Sequence, residues 1–346
     1  MDPLLFLCLS FIDHHLQPKS SVVHFLLITL LLKPLANILI KMFWSKEKDF
    51  NPRDMPSLEG KVILVTGGTA GLGKESVLQF AHHNPQRIYF CGRNLQKAQA
   101  TAQDIQHAVP SASIRLLHLD LSSFASVKEA ARIVLSECER LDILMLNAGT
   151  MFVPLDRTAD GYEIQFGTNH MGHALLAKLL IPLLDKTTRI PGSDVRVVSL
   201  ASHGHVYLNK GGINYDTLKT DGQSIGLYQC YYQSKLANIL WARQLAKKYP
   251  RFTVSAIDPG LVNTELLVKA TGMVWYLYAV VRCMLITPVA KGVKNQLWAS
   301  VGEGVLSGEY YEPVGKHGLA TEEGRDDELA EELWDWTEKE LTTVLE

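Results

Sequence analysis

The chain has 346 residues, 47% of them hydrophobic, and a formal net charge of −2. That length holds one large α/β domain or two smaller ones, and the even balance of charge gives no electrostatic reason to expect a nucleic-acid partner. Five cysteines (Cys8, Cys91, Cys138, Cys230 and Cys283) are scattered with no C-x-x-C pair, which argues against a disulfide framework or a zinc site and fits a reducing compartment.

Residues 1–56 read as a hydrophobic extension and linker, ahead of a domain over 57–346. Leu4 to Ile12 is apolar, Asp13 to Ser20 polar, and Val22 to Trp44 again mostly apolar. Met1-Asp2-Pro3 carries no basic n-region and no small-residue cleavage site follows Ile12, so a cleaved signal peptide is not expected. Ser21 to Trp44 has the length of a membrane span, but Lys33-Pro34 falls in its middle. Pro34 would kink a helix, and Lys33 near a bilayer centre costs about 2.5 kcal/mol or more. Lys19, Lys41, Lys46 and Lys48 flank the segment as interfacial anchors do. The segment is therefore an apolar arm on the protein's own surface or, as favoured here, a kinked or monotopic membrane anchor. The anchor implies a membrane-associated protein, at the endoplasmic reticulum for example, with its domain in a reducing compartment; the arm implies a cytoplasmic one. Pro52 and Pro56 mark Asn51 to Ser57 as the linker.

The domain opens with a β-rich run, Lys61 to Val65, followed at once by Thr66-Gly67-Gly68-Thr69-Ala70-Gly71-Leu72-Gly73 and a helical stretch, Lys74 to His82. A Gly-rich turn between strand and helix lets backbone N–H groups and a helix N-terminus approach a pyrophosphate. Arg87 to Cys91 is the second strand. Where an Asp or Glu would hold an adenosine ribose 2′-hydroxyl, Arg93 stands instead, the choice expected for a 2′-phosphate and so for NADP rather than NAD. A surface residue in a polar loop is the plainer reading of Arg93. Leu95 to His107 is a helix and Ile114 to Leu119 the third strand, ending at Asp120, which meets an adenine amino group or merely caps the next helix. Leu141 to Leu146 is a fourth strand, apolar throughout as a strand buried on both faces should be. It ends in Asn147-Ala148-Gly149. A long helix, Gly161 to Asp185, contains Asn169-His170-Met171-Gly172, and a fifth strand, Val195 to Leu200, leads into Ala201-Ser202-His203-Gly204. A sixth strand, Thr253 to Ile257, leads into Asp258-Pro259-Gly260. This alternation is that of a Rossmann-type, doubly wound parallel α/β sheet, and every motif sits at the C-terminal end of a strand.

Between the fifth and sixth strands, Leu227 to Lys248 reads as one amphipathic helix carrying Tyr231-Tyr232-Gln233-Ser234-Lys235. Residues four apart share a helix face, so the Tyr231 hydroxyl and Lys235 ammonium can reach one site. A phenol titrates near pH ~10, and lowering that to about 7 needs roughly 4 kcal/mol of preference for phenolate. One unit charge at ~4 Å in an effective dielectric of ~20 supplies about that much. The pair therefore has the makings of a general acid/base for an alcohol or ketone.

Thr66-Gly-x-x-x-Gly71-x-Gly73, Asn147-Ala148-Gly149, Asn169, Ser202, Tyr231-x-x-x-Lys235 and Pro259-Gly260, in that order, resemble the short-chain dehydrogenase/reductase family over roughly residues 58–320. Ser234-Lys235-Leu236-Ala237-Asn238 and Asn169-His170-Met171-Gly172 are similar to its retinol-dehydrogenase-like branch, and members of fungal biosynthetic pathways are similar too. The resemblance implies an oxidoreductase in which Tyr231 donates or accepts the proton, Lys235 lowers its pKa and bonds the nicotinamide ribose, Ser202 (rather than nearby Ser199) polarises the substrate oxygen, and Asn169 anchors a proton-relay water. It further implies Gly67, Gly71, Leu72 and Gly73 around the pyrophosphate, Asp120 at adenine, Asn147, Ala148 and Gly149 at the adenine ribose, and Pro259, Gly260, Val262 and Thr264 on the nicotinamide side. Two positions depart from the pattern. Leu146 replaces the first Asn of Asn-Asn-Ala-Gly, and Ala70 stands where a basic NADP-favouring residue normally precedes Gly71, leaving the NADP expectation on Arg93.

Competing chemistries fit less well. A serine hydrolase built on Ser202 with His203 or His205 lacks the G-x-S-x-G elbow, and the His pairs have no further ligands placed with them for a metal. A non-catalytic NADP-binding scaffold on the same fold is the remaining alternative. Leu261 to Ile286, rich in Trp275, Tyr276, Tyr278 and Met284, lies where the family places a substrate lid and fits a lipophilic alcohol or ketone, although core or membrane-facing packing explains it nearly as well. The tail, Thr321 to Glu346, reads as a covering helix, and the helices at 161–185 and 228–249 are those the family uses for homodimers.

Overall fold

The computed structural model describes residues 50–262 and 287–345. The anchor or arm expected within residues 1–49, the greater part of the lid, and Thr264 lie outside the described residues.

Eight strands form one sheet in the order β3-β2-β1-β4-β5-β6-β7-β8. They are β1 (Val62–Val65), β2 (Arg87–Gly92), β3 (Ile114–His118), β4 (Ile143–Leu146), β5 (Arg196–Leu200), β6 (Thr253–Ile257), β7 (Glu309–Glu312) and β8 (Lys316–His317). All neighbours are parallel except β7 and β8. Both faces of the central strands are covered, which is why they are apolar without alternation. Along β1, Val62 and Leu64 enter one core layer while Ile63 and Val65 enter the other; β4 splits Leu144 and Leu146 from Ile143 and Met145 in the same way.

Helices α1 (Gly71–Ala81), α2 (Leu95–Ala108) and α3 (Phe124–Glu137) follow the first three strands. Asn94 caps α2 by accepting from the Lys97 N–H. The long helix begins with a single turn at Ile164–Phe166, passes through a π-turn at Gly167–Met171 and continues as α4 (Gly172–Thr187). Next come α5 (Gly226–Lys248), which carries Tyr231, then α6 (Lys294–Val301) and α7 (Asp327–Leu345). The last covers α5, with Leu333 and Trp334 buried and the Trp334 and Trp241 rings stacked at 6.4 Å. Among the described residues no helix is long and apolar enough to cross a membrane.

The six expected strands are present, and so is the doubly wound parallel sheet. The π-turn, β7 and β8 were not foreseen, and α3 is the helix expected after Asp120, for which no bounds were given.

Candidate active site

The sheet order reverses between β1 and β4, and the turns that leave these two strands meet there. Gly67 has φ +65°, and a Cβ on it would lie 2.9 Å from the Ala148 Cα. On Gly73 it would lie 2.2 Å from the Gly67 carbonyl oxygen and 2.5 Å from the Asn147 Nδ2, so both glycines are required by backbone packed on backbone. Asn147 fastens the turn, its Nδ2 donating to the carbonyl oxygens of Thr66 (2.8 Å) and Gly67 (3.4 Å). Gly71, with φ +49°, starts α1, so the turn delivers the open N-terminus of a helix to the strand ends. The Leu72 side chain is instead buried in the core, leaving its backbone to the site.

Beneath this turn runs a chain of buried hydrogen bonds. The Ala148 N–H donates to the Thr66 hydroxyl oxygen (2.9 Å), which lies 2.8 Å from the His173 Nε2. The His173 Nδ1 is 3.0 Å from the Asn169 carbonyl oxygen, which can only accept. The ring proton therefore sits on Nδ1, and Nε2 accepts from Thr66. Burial holds this imidazole neutral, its pKa down at about 4. Gln296 of α6 joins from the other side, donating to the Ser76 hydroxyl (2.6 Å) and the Asn147 Oδ1 (3.3 Å). His173 and Gln296, and the buried bonds of the motif residue Thr66, were missed because the partners lie far away in the chain.

The cofactor-side expectations fall around this junction. Arg93 is exposed just beyond β2 and directly before the α2 cap. Asp120, half-buried after β3, accepts from the Ser122 N–H (3.0 Å) and hydroxyl (2.7 Å) through one carboxylate oxygen. Pro259 and Gly260 follow β6, Gly260 with φ +77°. Val262 is 3% exposed and packs on Gly292, where a Cβ would lie 2.3 Å from its Cγ2, so its side chain belongs to the core.

Asn169 lies in the π-turn, fully buried. Its side chain grips Thr150 from both sides, accepting from the N–H (2.8 Å) and donating to the carbonyl (2.9 Å), and it also donates to the Ser234 hydroxyl (2.9 Å). Those bonds shape the Gly149–Thr150 turn. A Cβ on Gly149 would lie 3.2 Å from the Asn169 Oδ1 and 3.6 Å from the Lys235 Nζ. The Lys235 ammonium donates to the Leu200 carbonyl at the end of β5 (2.9 Å) and lies 5.8 Å from the centre of the Tyr231 ring.

Ser202 follows β5, its oxygen accepting from the Gly204 N–H (3.0 Å), and its hydroxyl favours the ionised form of the Tyr231 phenol. Ser199 is buried inside β5. His203 is turned to Glu312 (2.7 Å) and His205 to the Ser202 carbonyl (2.8 Å). Tyr231 is 6% exposed, its ring edge-on to Phe152 at 5.0 Å; Phe152 also meets Tyr228 and Tyr232. Burial drives the Tyr231 phenol well above its ordinary pKa; the Ser202 hydroxyl opposes this, and the Asp258 charge adds to it. Burial also brings the Lys235 ammonium down to about 8, against the pull of Asp258. With the site as folded, the phenol holds its proton near neutral pH.

A hydroxyl, a neutral phenol and an ammonium thus converge beside a glycine turn at a strand-order reversal. Such a set can bind a pyrophosphate and hold two hydrogen-bond donors on one oxygen atom.

A family model described as short chain dehydrogenase matches residues 61–225. An uncharacterized oxidoreductase of Schizosaccharomyces pombe is 34% identical over 296 residues, covering 83% of this chain and 86% of that protein. Retinol dehydrogenase 13 of Homo sapiens is 33% identical over 287 residues, covering 80% of this chain and 83% of that protein. Among solved structures, a Mycobacterium paratuberculosis protein superposes with a TM-score of 0.66 at 25% identity, covering 85% of this chain and 97% of its own.

Proposed function

The chain belongs to the short-chain dehydrogenase/reductase family of oxidoreductases, and on that basis we propose that it interconverts a lipophilic alcohol and its ketone or aldehyde with NADP. The observation that carries the reading is the Lys235 ammonium 5.8 Å from the Tyr231 ring, with Ser202 on the turn that leaves β5. Hydride transfer is the chemistry a nicotinamide supplies when bound. The protein's part is to hold the dinucleotide and serve the substrate oxygen. Gly67, Gly71, Gly73 and the backbone at Leu72 cradle the pyrophosphate; Asp120, Asn147, Ala148 and Gly149 line the adenosine end; Pro259, Gly260 and the backbone at Val262 stand on the nicotinamide side. Tyr231, held protonated, gives its proton to a carbonyl oxygen that Ser202 also bonds. Lys235 steadies the phenolate left behind and the nicotinamide ribose. Asn169 anchors the water that returns the proton.

The Phe152, Tyr228 and Tyr232 rings beside Tyr231 make the reacting end of the site apolar, and the retinol dehydrogenase relative is named for a lipophilic alcohol. Residues 1–56 fit the same substrate class as a membrane anchor ahead of the catalytic domain at 57–346.

Arg93 carries the choice of NADP. Full-length protein titrated by fluorescence with NADPH and NADH should bind NADPH more tightly by about tenfold or more, the value of a charge-assisted contact to phosphate. Arg93→Ala should erase that preference while sparing NADH. Equal affinities untouched by the substitution contradict the Arg93 assignment, and failure to bind either cofactor removes the enzyme reading.

A further inference from the structure

Two turns of this fold are joined by one buried side chain. The first turn follows β1, where Thr66 is buried and Gly67 lies against Ala148. The second is the π-turn at Gly167–Met171, where the Gly172 N–H bonds back to the Gly167 carbonyl. His173, buried at the start of α4, lies between them. Its Nε2 is 2.8 Å from the Thr66 hydroxyl, and its Nδ1 is 3.0 Å from the Asn169 carbonyl oxygen. Both ends of this series are backbone, and that fixes its direction. The Ala148 N–H can only donate, at 2.9 Å to Thr66, and the Asn169 carbonyl can only accept. The Thr66 hydroxyl has one proton to give. The Met145 carbonyl lies 3.5 Å away and the His173 Nε2 only 2.8 Å, so the imidazole takes it. A neutral His173 in one tautomer completes the series.

The series continues beyond Asn169. Its Nδ2 donates to the Ser234 hydroxyl (2.9 Å), and that hydroxyl donates to the Tyr231 carbonyl (2.7 Å) in α5. Thr66, His173, Asn169, Ser234 and Tyr231 are all buried, so a bond lost at any point strands a polar group where bulk water does not reach. A second route between the turns follows the chain itself, from Ala148 through Gly149 to Thr150, which the Asn169 side chain holds. The route through His173 is the direct one. We propose that His173 is a positioning residue that couples the glycine turn to the π-turn, so that the order of the first sets the placement of Asn169 and of the helix carrying Tyr231. The consequence for catalysis rests on the reading of the glycine turn as the pyrophosphate site: a dinucleotide that orders that turn also orders the end where the proton is delivered.

The test needs neither cofactor nor turnover, so its outcome is independent of that reading. Amide hydrogen exchange of the full-length protein, read by peptide mass spectrometry over residues 164–173, reports the π-turn, with β6 as the reference for opening of the whole domain. Thr66→Val removes the hydroxyl with little change of shape. It should speed exchange at the π-turn relative to β6 by about fivefold, the effect of one hydrogen bond lost. Thr66→Ser keeps the hydroxyl and should exchange as the parent does. His173→Asn keeps a donor for the Asn169 carbonyl but does not reach Thr66. On that background Thr66→Val should change the π-turn by less than about twofold further, as two residues acting through one contact do. An unaltered π-turn in Thr66→Val, or the same acceleration with and without His173, overturns the proposal. Should Thr66→Val fail to fold, His173→Asn alone decides. Exchange should then speed by about fivefold over residues 145–150 as well as at the π-turn; acceleration confined to residues 164–173, or none at either turn, overturns the proposal.

Discussion

Tyr231 and Lys235 show how far a spacing argument reaches. One helical turn apart, they do share a site, as the i, i+4 geometry requires. The expectation that the ammonium alone brings the phenol toward neutrality addressed one charge and left out burial. In the folded chain desolvation dominates, and the phenol is held protonated. The burial of Asp258 was not legible, because a carboxylate before Pro-Gly reads as a turn residue and its backbone partner Tyr311 in β7 lies far along the chain. Glycine was more legible, since a strand–turn–helix context states where side chains cannot fit. Gly73→Ala places a Cβ within 2.2 Å of a carbonyl oxygen, so the turn must open. The variant should lose dinucleotide affinity by about tenfold or more, a cost of at least ~1.4 kcal/mol, as read by NADPH fluorescence. Undiminished affinity would show that the turn does not carry the pyrophosphate.

Elements with strong local patterns were readable, and those defined by their neighbours were not. β4 and β5 declare themselves as unbroken apolar runs. Helix α3 buries Val127, Ala130, Ala131 and Val134 at helical spacing, a pattern legible in the sequence but given there only as the helix following Asp120. β7, Glu-Tyr-Tyr-Glu, becomes a strand by pairing with β6. The π-turn has no local signature at all; it is held by Asn169 and His173 and by Gly172, where a Cβ would strike the Leu121 carbonyl oxygen at 2.3 Å. The covering role expected of the tail is seen in α7, whose Leu333 is fully buried between α7 and the core. Leu333→Ala should cost about 2–5 kcal/mol by cavity formation, visible as a lowered urea midpoint with an unchanged slope. A loss under about 1 kcal/mol would mean that α7 is not integral to the core.

At the scale of the molecule, buried titratable groups set how stability depends on pH. His170 and His173 are held neutral by burial, with pKa values lowered from 6.5 to about 3 and about 4. An unfolded chain protonates both below about pH 6.5, and the folded chain does not, so stability is lost as pH falls from 6.5 toward 4. Asp258 runs the other way: raised to about 6 from 3.8, it favours the folded state as pH falls through that window. Two imidazoles outweigh one carboxyl. Unfolding free energy should therefore drop on the order of 1 kcal/mol per pH unit between pH 6 and 4, measured by urea melts. A flat or rising profile would contradict the burial of these rings.

The claim on which the rest depends is that Tyr231 delivers the proton while NADPH delivers the hydride. It is tested most directly by following NADPH consumption with a panel of lipophilic ketones and aldehydes, for the full-length protein and for Tyr231→Phe, alongside NADPH binding by each. The account predicts binding within a few-fold of the parent and turnover lower by about 10²–10⁴, the range of a lost general acid. A phenylalanine variant that binds NADPH and reduces the same carbonyl at the parental rate would contradict it.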